Sequence, residues 1–127
     1  MKILIVDDDK DIESLFNQFF RKEIAAKTLE FEFKFSSEDA LEFLNEDKNK
    51  SDLVLILSDI NMPGKNGIEL LKEIKSSENS APVFMITAFD DENNRNFSMK
   101  YGADKFLSKP IDFVALKKYI VELMKNN

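Results

Sequence analysis

The chain contains no cysteine, no histidine and no tryptophan. Without cysteine there is no disulfide and no thiolate metal site. Without histidine, the commonest general base and the commonest transition-metal ligand are both missing. Any bound metal should therefore be a hard cation held by oxygen. Positive charge is also short: 18 Lys and Arg stand against 24 Asp and Glu, a formal charge of −6. No basic stripe offsets that balance, which argues against direct contact with nucleic acid. No apolar stretch approaches the length needed to span a membrane. Met1-Lys2 runs straight into a short apolar segment with no cleavage-site pattern, so no signal peptide is read. A cytoplasmic protein is the expectation. No linker, internal repeat or low-complexity segment interrupts the chain.

What is present is one domain's worth of ordinary globular composition. The 127 residues are 43% apolar and 33% charged, with twelve Phe to fill the core, a length sufficient for a single core. The organising stretch is residues 53–67, Leu-Val-Leu-Ile-Leu-Ser-Asp-Ile-Asn-Met-Pro-Gly-Lys-Asn-Gly. Its apolar run lacks polar alternation, as in a parallel strand covered on both faces. The run ends in Ser58 and Asp59, followed by loop markers Asn61, Pro63, Gly64 and Gly67. These glycines, with Gly102, read as turn residues without chemistry of their own.

Residues 3–6, Ile-Leu-Ile-Val, form a second apolar run that ends in Asp7-Asp8-Asp9. From 10 to about 26 the period becomes helical, with Ile12, Leu15, Phe16, Phe19, Phe20 and Ile24 on one face. Asp9 reads as an acid favoured by that helix start rather than as a ligand. Leu29, Phe31, Phe33 and Phe35 alternate with Glu30, Glu32 and Lys34, which predicts an edge strand with one wet face. A helix bearing Ala40, Leu41 and Leu44 follows, capped by Ser36 or Ser37, and then a polar loop over 45–52. After the central stretch, Ile68, Leu71 and Ile74 mark a third helix entered at Asn66 or Gly67. Residues 76–81 read as loop. Residues 83–86 are a further apolar strand, ending in Thr87-Ala88. A weak, polar helix over 90–101 has only Phe97, Met99 and Tyr101 to bury, and Gly102 suits its left-handed terminus. A short strand at 105–108 leads to Lys109-Pro110. Asp112 caps a last helix carrying Phe113, Leu116, Ile120, Leu123 and Met124.

Strands alternating with helices imply right-handed crossovers and a doubly wound five-stranded parallel sheet. With a charged, alternating second strand, the expected order is 2-1-3-4-5. The first and third strands then meet at the switch point, which brings Asp7 and Asp8 beside Asp59. Thr87 and Lys109 end the neighbouring strands. Like charges ~4 Å apart repel by about 4 kcal/mol at an effective dielectric of ~20, so the cluster needs cations. Lys109 is one. A divalent ion with few protein ligands and room for water and phosphate oxygens would be Mg²⁺ rather than Ca²⁺. A carboxylate can act as a nucleophile and form an acyl phosphate. Phosphoryl transfer chiefly needs positioning and charge neutralisation, which Mg²⁺, Lys109, the Thr87 hydroxyl and the Ala88 backbone N–H can serve.

Val6-Asp7-Asp8, Ser58-Asp59-Ile60-Asn61-Met62-Pro63-Gly64, Thr87-Ala88 and Lys109-Pro110, in this order and spacing, resemble the receiver domains of two-component response regulators. The resemblance covers essentially residues 1–127 as one receiver domain of flavodoxin-like (βα)5 fold. It implies that Asp59 is the phosphoacceptor. It further implies Mg²⁺ held by the side chains of Asp8 and Asp59 and the backbone carbonyl of Asn61, with Asp7 assisting through coordinated water. Thr87 and Lys109 would contact the phosphoryl group, and Phe106 would be the switch aromatic. Such a protein is not a conventional enzyme; it catalyses its own phosphorylation and dephosphorylation at Asp59. Its partners would be a sensor histidine kinase or histidine phosphotransfer protein and a downstream protein effector, with a phosphorylation-dependent homodimer left open. Edges of the Phe16, Phe19 and Phe20 stripe would help to dock the kinase. Receivers of this kind carry a cis bond at Lys109-Pro110. The changing surface would be the fourth helix, fifth strand and fifth helix of the pattern. Two positions depart from the commonest family choices: Phe106 stands where Tyr is frequent, and bulky Phe89 stands two residues past Thr87, a position that tunes access of water.

Other functions fit less well. A flavodoxin-like cofactor carrier binds phosphate after the first strand, where this chain has three acids. A haloacid-dehalogenase-type phosphohydrolase would share the Asp-x-Asp within residues 7–10, but the hydroxyl residue after that motif and a cap insertion are missing. A degenerate receiver acting as a phosphorylation-independent binding module is the alternative within the family, and the full set of site residues speaks against it.

Overall fold

The computed structural model describes residues 1–46, 53–62, 66–77, 81–88 and 91–125. Pro63, Gly64, Phe89, most of the 45–52 loop and parts of the loop at 76–81 lie outside the described residues, as does the expected helix start at Asp90. Five strands form one parallel sheet: β1 (Lys2–Val6), β2 (Glu30–Lys34), β3 (Leu53–Asp59), β4 (Val83–Ala88) and β5 (Lys105–Lys109). Their order is β2-β1-β3-β4-β5, the arrangement expected from the alternation of runs and the charged second strand. β3 lies between β1 and β4, with Val6 opposite Ser58 and Asp59 opposite Ile86. It is buried along almost all its length, which is why its sequence can be continuously apolar.

The helices are α1 (Asp11–Phe19), α2 (Arg21–Ala25), α3 (Ser37–Leu44), α4 (Gly67–Ser76), α5 (Glu92–Lys100) and α6 (Phe113–Lys125). They divide the core into two halves. One contains Ile3, Ile5, Leu55, Leu57, Phe84 and Ile86 under α1 and α6. The other contains Leu4, Val6, Ile56, Val83 and Met85 under α3, α4 and α5. Alternate residues of each strand face opposite halves, as the period of a strand requires. Among the described residues no helix is long and apolar enough to cross a membrane.

Three expectations need correction. The helix expected over 10–26 is broken at Phe20, whose backbone (φ −97, ψ 21) leaves the helical region before α2 resumes. On α1 the buried stripe is Ile12 and Phe16, continued by Phe20, whereas Leu15 and Phe19 are 48% and 39% exposed. On α5 the helix phase turns Ser98 inward, and the apolar neighbours expected to be buried, Phe97 and Met99, are 49% and 52% exposed. The caps follow the sequence more closely. Ser36, Asn66 and Asp112 accept from the backbone N–H groups of Asp39, Glu69 and Ala115, and Gly102 takes the left-handed conformation at φ 98.

Candidate phosphoacceptor site

The carboxyl ends of β1, β3, β4 and β5 place Asp7, Asp59, Thr87 and Lys109 around one crevice. Asp7 and Asp59 are only 3% and 2% exposed, and Thr87 is fully buried; Asp8, next in line, faces solvent. Lys109 reaches across from β5, its Nζ 3.2 Å from Asp59 Oδ2 and 3.7 Å from Asp7 Oδ2. The Lys109–Pro110 peptide is cis, as expected from the sequence.

Each acid is held by local backbone geometry. The Asp9 N–H donates to Asp7 Oδ1 at 2.9 Å, and the Asp11 N–H donates to Asp9 Oδ1 at 3.0 Å. Asp9 is thereby committed to the start of α1, the role its sequence position suggested. The Asn61 N–H donates to Asp59 Oδ1 at 3.4 Å. Gly67 closes the far side: its N–H donates to the Ile60 carbonyl at 2.9 Å. A Cβ on Gly67 would strike the Asp59 carbonyl oxygen and approach Ile60 Cα to 2.7 Å. Here glycine serves the close passage of one backbone against another, a role its reading as a plain turn residue missed.

Burial sets the electrostatics. It raises the Asp59 carboxyl to about 6, helped by the Asp7 charge and opposed by Lys109 and the Asn61 N–H. Asp7 is likewise raised, by burial first, against the Asp9 N–H and Lys109. For Lys109, burial alone would lower the ammonium, but Asp59 and Asp7 outweigh it and the net shift is upward. The crevice therefore holds more negative charge than Lys109 neutralises.

The carboxylates of Asp7, Asp8 and Asp59 each offer an oxygen within 4.8 Å of the others. An all-oxygen, acidic, half-open donor set fits a hard divalent cation such as Mg²⁺.

The sequence reading missed one contact of the site. The Asn61 side chain, considered only for its backbone carbonyl, donates from Nδ2 to Thr87 Oγ1 at 3.0 Å. Its signal was present in the expected strand order, since Asn61 and Thr87 follow neighbouring strands. Phe106 lies on β5 opposite Met85, two residues before Ser108, which pairs with Thr87. Its ring is half-buried against the core half that includes Met85 and Ala103. Ala88 ends β4 opposite Lys109, which leaves its backbone at the rim of the crevice.

Beside Asp7 and Lys109 runs a groove of about 500 Å³ lined by Ile12, Leu15, Pro110, Ile111 and Phe113. Phe113 stacks edge-on against Phe16 and nearly parallel to Phe19, with centroids 5.0 and 5.2 Å apart.

Comparison with known proteins agrees with this geometry. A family model described as the response regulator receiver domain matches residues 3–121. The transcriptional regulatory protein CpxR of Klebsiella pneumoniae is 35% identical over 111 residues, covering 87% of this chain and 44% of that protein. A cyclic di-GMP phosphodiesterase of Thermotoga maritima is 32% identical over 129 residues, covering 99% of this chain and 32% of that protein. The chain thus spans less than half the length of these curated relatives. Among solved structures, the receiver domain of Francisella response regulator 1452 superposes with a TM-score of 0.81 at 28% identity, covering 98% of this chain and 97% of that one. A CheY-like receiver from Methanospirillum hungatei gives 0.79 at 27% identity, covering 99% and 98%.

Proposed function

The chain belongs to the response regulator receiver family, and from that premise we propose that residues 1–127 act as a phosphorylation-controlled signalling switch with Asp59 as the phosphoacceptor. The observation that carries this reading is the bridge from Lys109 Nζ to Asp59 Oδ2 and Asp7 Oδ2, at 3.2 and 3.7 Å, in a crevice that also collects Asp8 and Thr87. A degenerate receiver has no need to bury two carboxylates and tether them with one lysine, because that arrangement costs stability.

Asp8, Asp59 and the Asn61 backbone carbonyl would hold Mg²⁺, with Asp7 one shell out. When bound, the ion would supply the positive charge that phosphoryl oxygens need as they approach three acids. The remaining work belongs to the chain. Asp59 oxygen attacks the phosphorus of a phosphohistidine, the P–O bond of an acyl phosphate forms, and the P–N bond breaks with its electron pair and a solvent proton going to the imidazole. Lys109 leaves its ion pair with Asp59, whose carboxylate charge is lost as the acyl phosphate forms, and follows the phosphoryl oxygens. Thr87 Oγ and the Ala88 N–H complete the donor set on the opposite side. Burial keeps bulk water from Asp59 and strengthens each of these contacts.

The phosphodonor would be a sensor histidine kinase or a histidine phosphotransfer protein in the cytoplasm. The groove between Leu15 and Phe113, with exposed Phe19 stacked on Phe113, supplies an apolar seat beside Asp7 and Lys109. The read-out surface would be α5, β5 and α6, engaging a protein effector or a second copy rather than nucleic acid. Mass spectrometry after incubation with Mg²⁺ and an acyl phosphate donor tests the reading. One phosphoryl adduct on Asp59, absent from Asp59→Asn, is expected. A wild-type chain that stays unmodified, or a modified Asp59→Asn variant, would overturn it.

A further inference from the structure

Helix α5 is attached to the body by little. It fully buries one side chain, Ser98, and that hydroxyl has no hydrogen-bond partner among the described residues. An unpartnered buried hydroxyl weakens docking rather than strengthening it. Phe97 and Met99, on either side, spend their apolar surface on solvent, at 49% and 52% exposure. Arg95, one turn before Ser98, instead lays its guanidinium over the Phe106 ring, with its carbon 4.8 Å from the centroid. The half-buried ring is therefore held from below by the core around Met85 and Ala103 and covered from above by a cation.

We propose that Arg95 is a positioning residue that caps Phe106 in its resting place and thereby sets how much phosphoryl signal is needed to move it. The inference rests on the function proposed above and extends it. The ring's way inward runs along one face of β4 and β5, from the level of Met85 toward that of Thr87. Burial there favours an apolar ring, which has no hydroxyl to leave unpaired. The exposed guanidinium cannot follow without giving up its water. Cap and inward position thus exclude each other, and an interaction present in one state alone shifts the balance between them. An exposed cation–π contact corresponds to about a two- to fivefold change in that balance. By linkage, the same factor appears in the affinity of the crevice for a phosphoryl mimic.

The test uses the full chain with Arg95→Gln and Arg95→Lys, titrated with beryllofluoride in Mg²⁺. The Phe106 ring and the α5 amides are followed by NMR, and thermal stability is measured alongside. Arg95→Gln removes the cation but keeps a good helix former at an exposed site. It is expected to lower the titration midpoint about two- to fivefold. It should also move the resting Phe106 signals toward their bound positions, with the melting temperature falling by no more than a few degrees. Arg95→Lys, a cation without the flat stacking surface, should fall between. A wild-type chain that responds at Phe106 while Arg95→Gln titrates identically would overturn the cap and leave the phosphoacceptor reading standing. A wild-type chain that does not take up the mimic at all would overturn both.

Discussion

The Asn61 side-chain amide donates to Thr87 Oγ1 at 3.0 Å, tying together the ends of two adjacent strands, while the Asn61 N–H donates to the proposed nucleophile, Asp59. Thr87 is fully buried, so the hydroxyl has this amide where water would otherwise be. Asn61→Ala should lower the stability of the unphosphorylated protein by about 1 kcal/mol, the usual scale for leaving a buried polar group short of a partner. With beryllofluoride bound, Thr87 would turn to the mimic and the loss should shrink. Urea unfolding with and without beryllofluoride measures both. An equal loss in the two states would mean that Thr87 keeps its resting partner.

Charge at Asp59 carries a pH signature in metal-free buffer. Its carboxyl is raised from 3.8 to about 6, by burial first and the Asp7 charge second. The folded protein therefore binds a proton more tightly than the unfolded chain does. Stability is greatest below about pH 4 for this group and is lost as pH rises toward about 6 and beyond. A shift of this size, which already includes the opposing effect of Lys109, sets an upper bound of about 3 kcal/mol. Asp59→Asn should accordingly be the more stable protein at neutral pH without metal, while accepting no phosphoryl group. Its stability should also change less between pH 4 and 6, the remaining slope coming from Asp7, which is raised as well. Denaturant titrations across that range check the sign; a variant less stable than wild type at pH 7 would contradict it.

The parts of this molecule that the sequence states openly are those governed by short-range pattern. Continuous apolar runs at 3–6 and 53–57 suit covered parallel strands, and the order of the strands follows from the crossovers between them together with the charged, alternating second strand. That order brings Asp7, Asp8, Asp59, Thr87 and Lys109 to one end of the sheet. What pattern does not express is phase and side-chain reach. α5 has too few apolar residues to define an inner face, so Ser98 is buried where Phe97 and Met99 were expected. The break at Phe20 carries neither Gly nor Pro, and the apolar spacing runs through it unaltered. The amide of Asn61 and the guanidinium of Arg95 act on groups far along the chain, across a distance that sequence spacing does not encode.

Metal affinity should depend on Asp8 even though Asp8 is the exposed member of the three-carboxylate group. Asp8 offers a carboxylate oxygen within 4.8 Å of those of Asp7 and Asp59, from the solvent-exposed side of the group. Asp8→Ala should weaken Mg²⁺ binding by at least about tenfold, the lower end of what even outer-shell changes do to metal sites. It should slow phosphorylation in proportion at subsaturating Mg²⁺. Calorimetric titration with Mg²⁺ alone separates the two effects. Unchanged binding in the variant would remove Asp8 from the site.

Gly67 offers a test of how tightly the nucleophile is positioned. Its φ lies outside the left-handed region, so the need for glycine is one of space: a Cβ would meet the Asp59 carbonyl oxygen and Ile60 Cα, both of them backbone. Something must move. The strand end is pinned by Ile60 N–H to the Ile86 carbonyl at 3.0 Å; α4 is pinned by buried Leu70, Leu71 and Ile74 and by the Asn66 cap. With both sides anchored the displacement is shared, and Asp59 shifts relative to Lys109 and Thr87. Gly67→Ala should cost about 1–3 kcal/mol of stability, as overpacking does. Its effect on phosphorylation should be larger than that loss accounts for, since a shift of ~1 Å can cost about a hundredfold in rate. Measuring phosphorylation from an acyl phosphate at a temperature where the variant is fully folded isolates the second effect. Wild-type kinetics in a folded but less stable variant would show that α4 alone yields and that the strand end bearing Asp59 stays where it is.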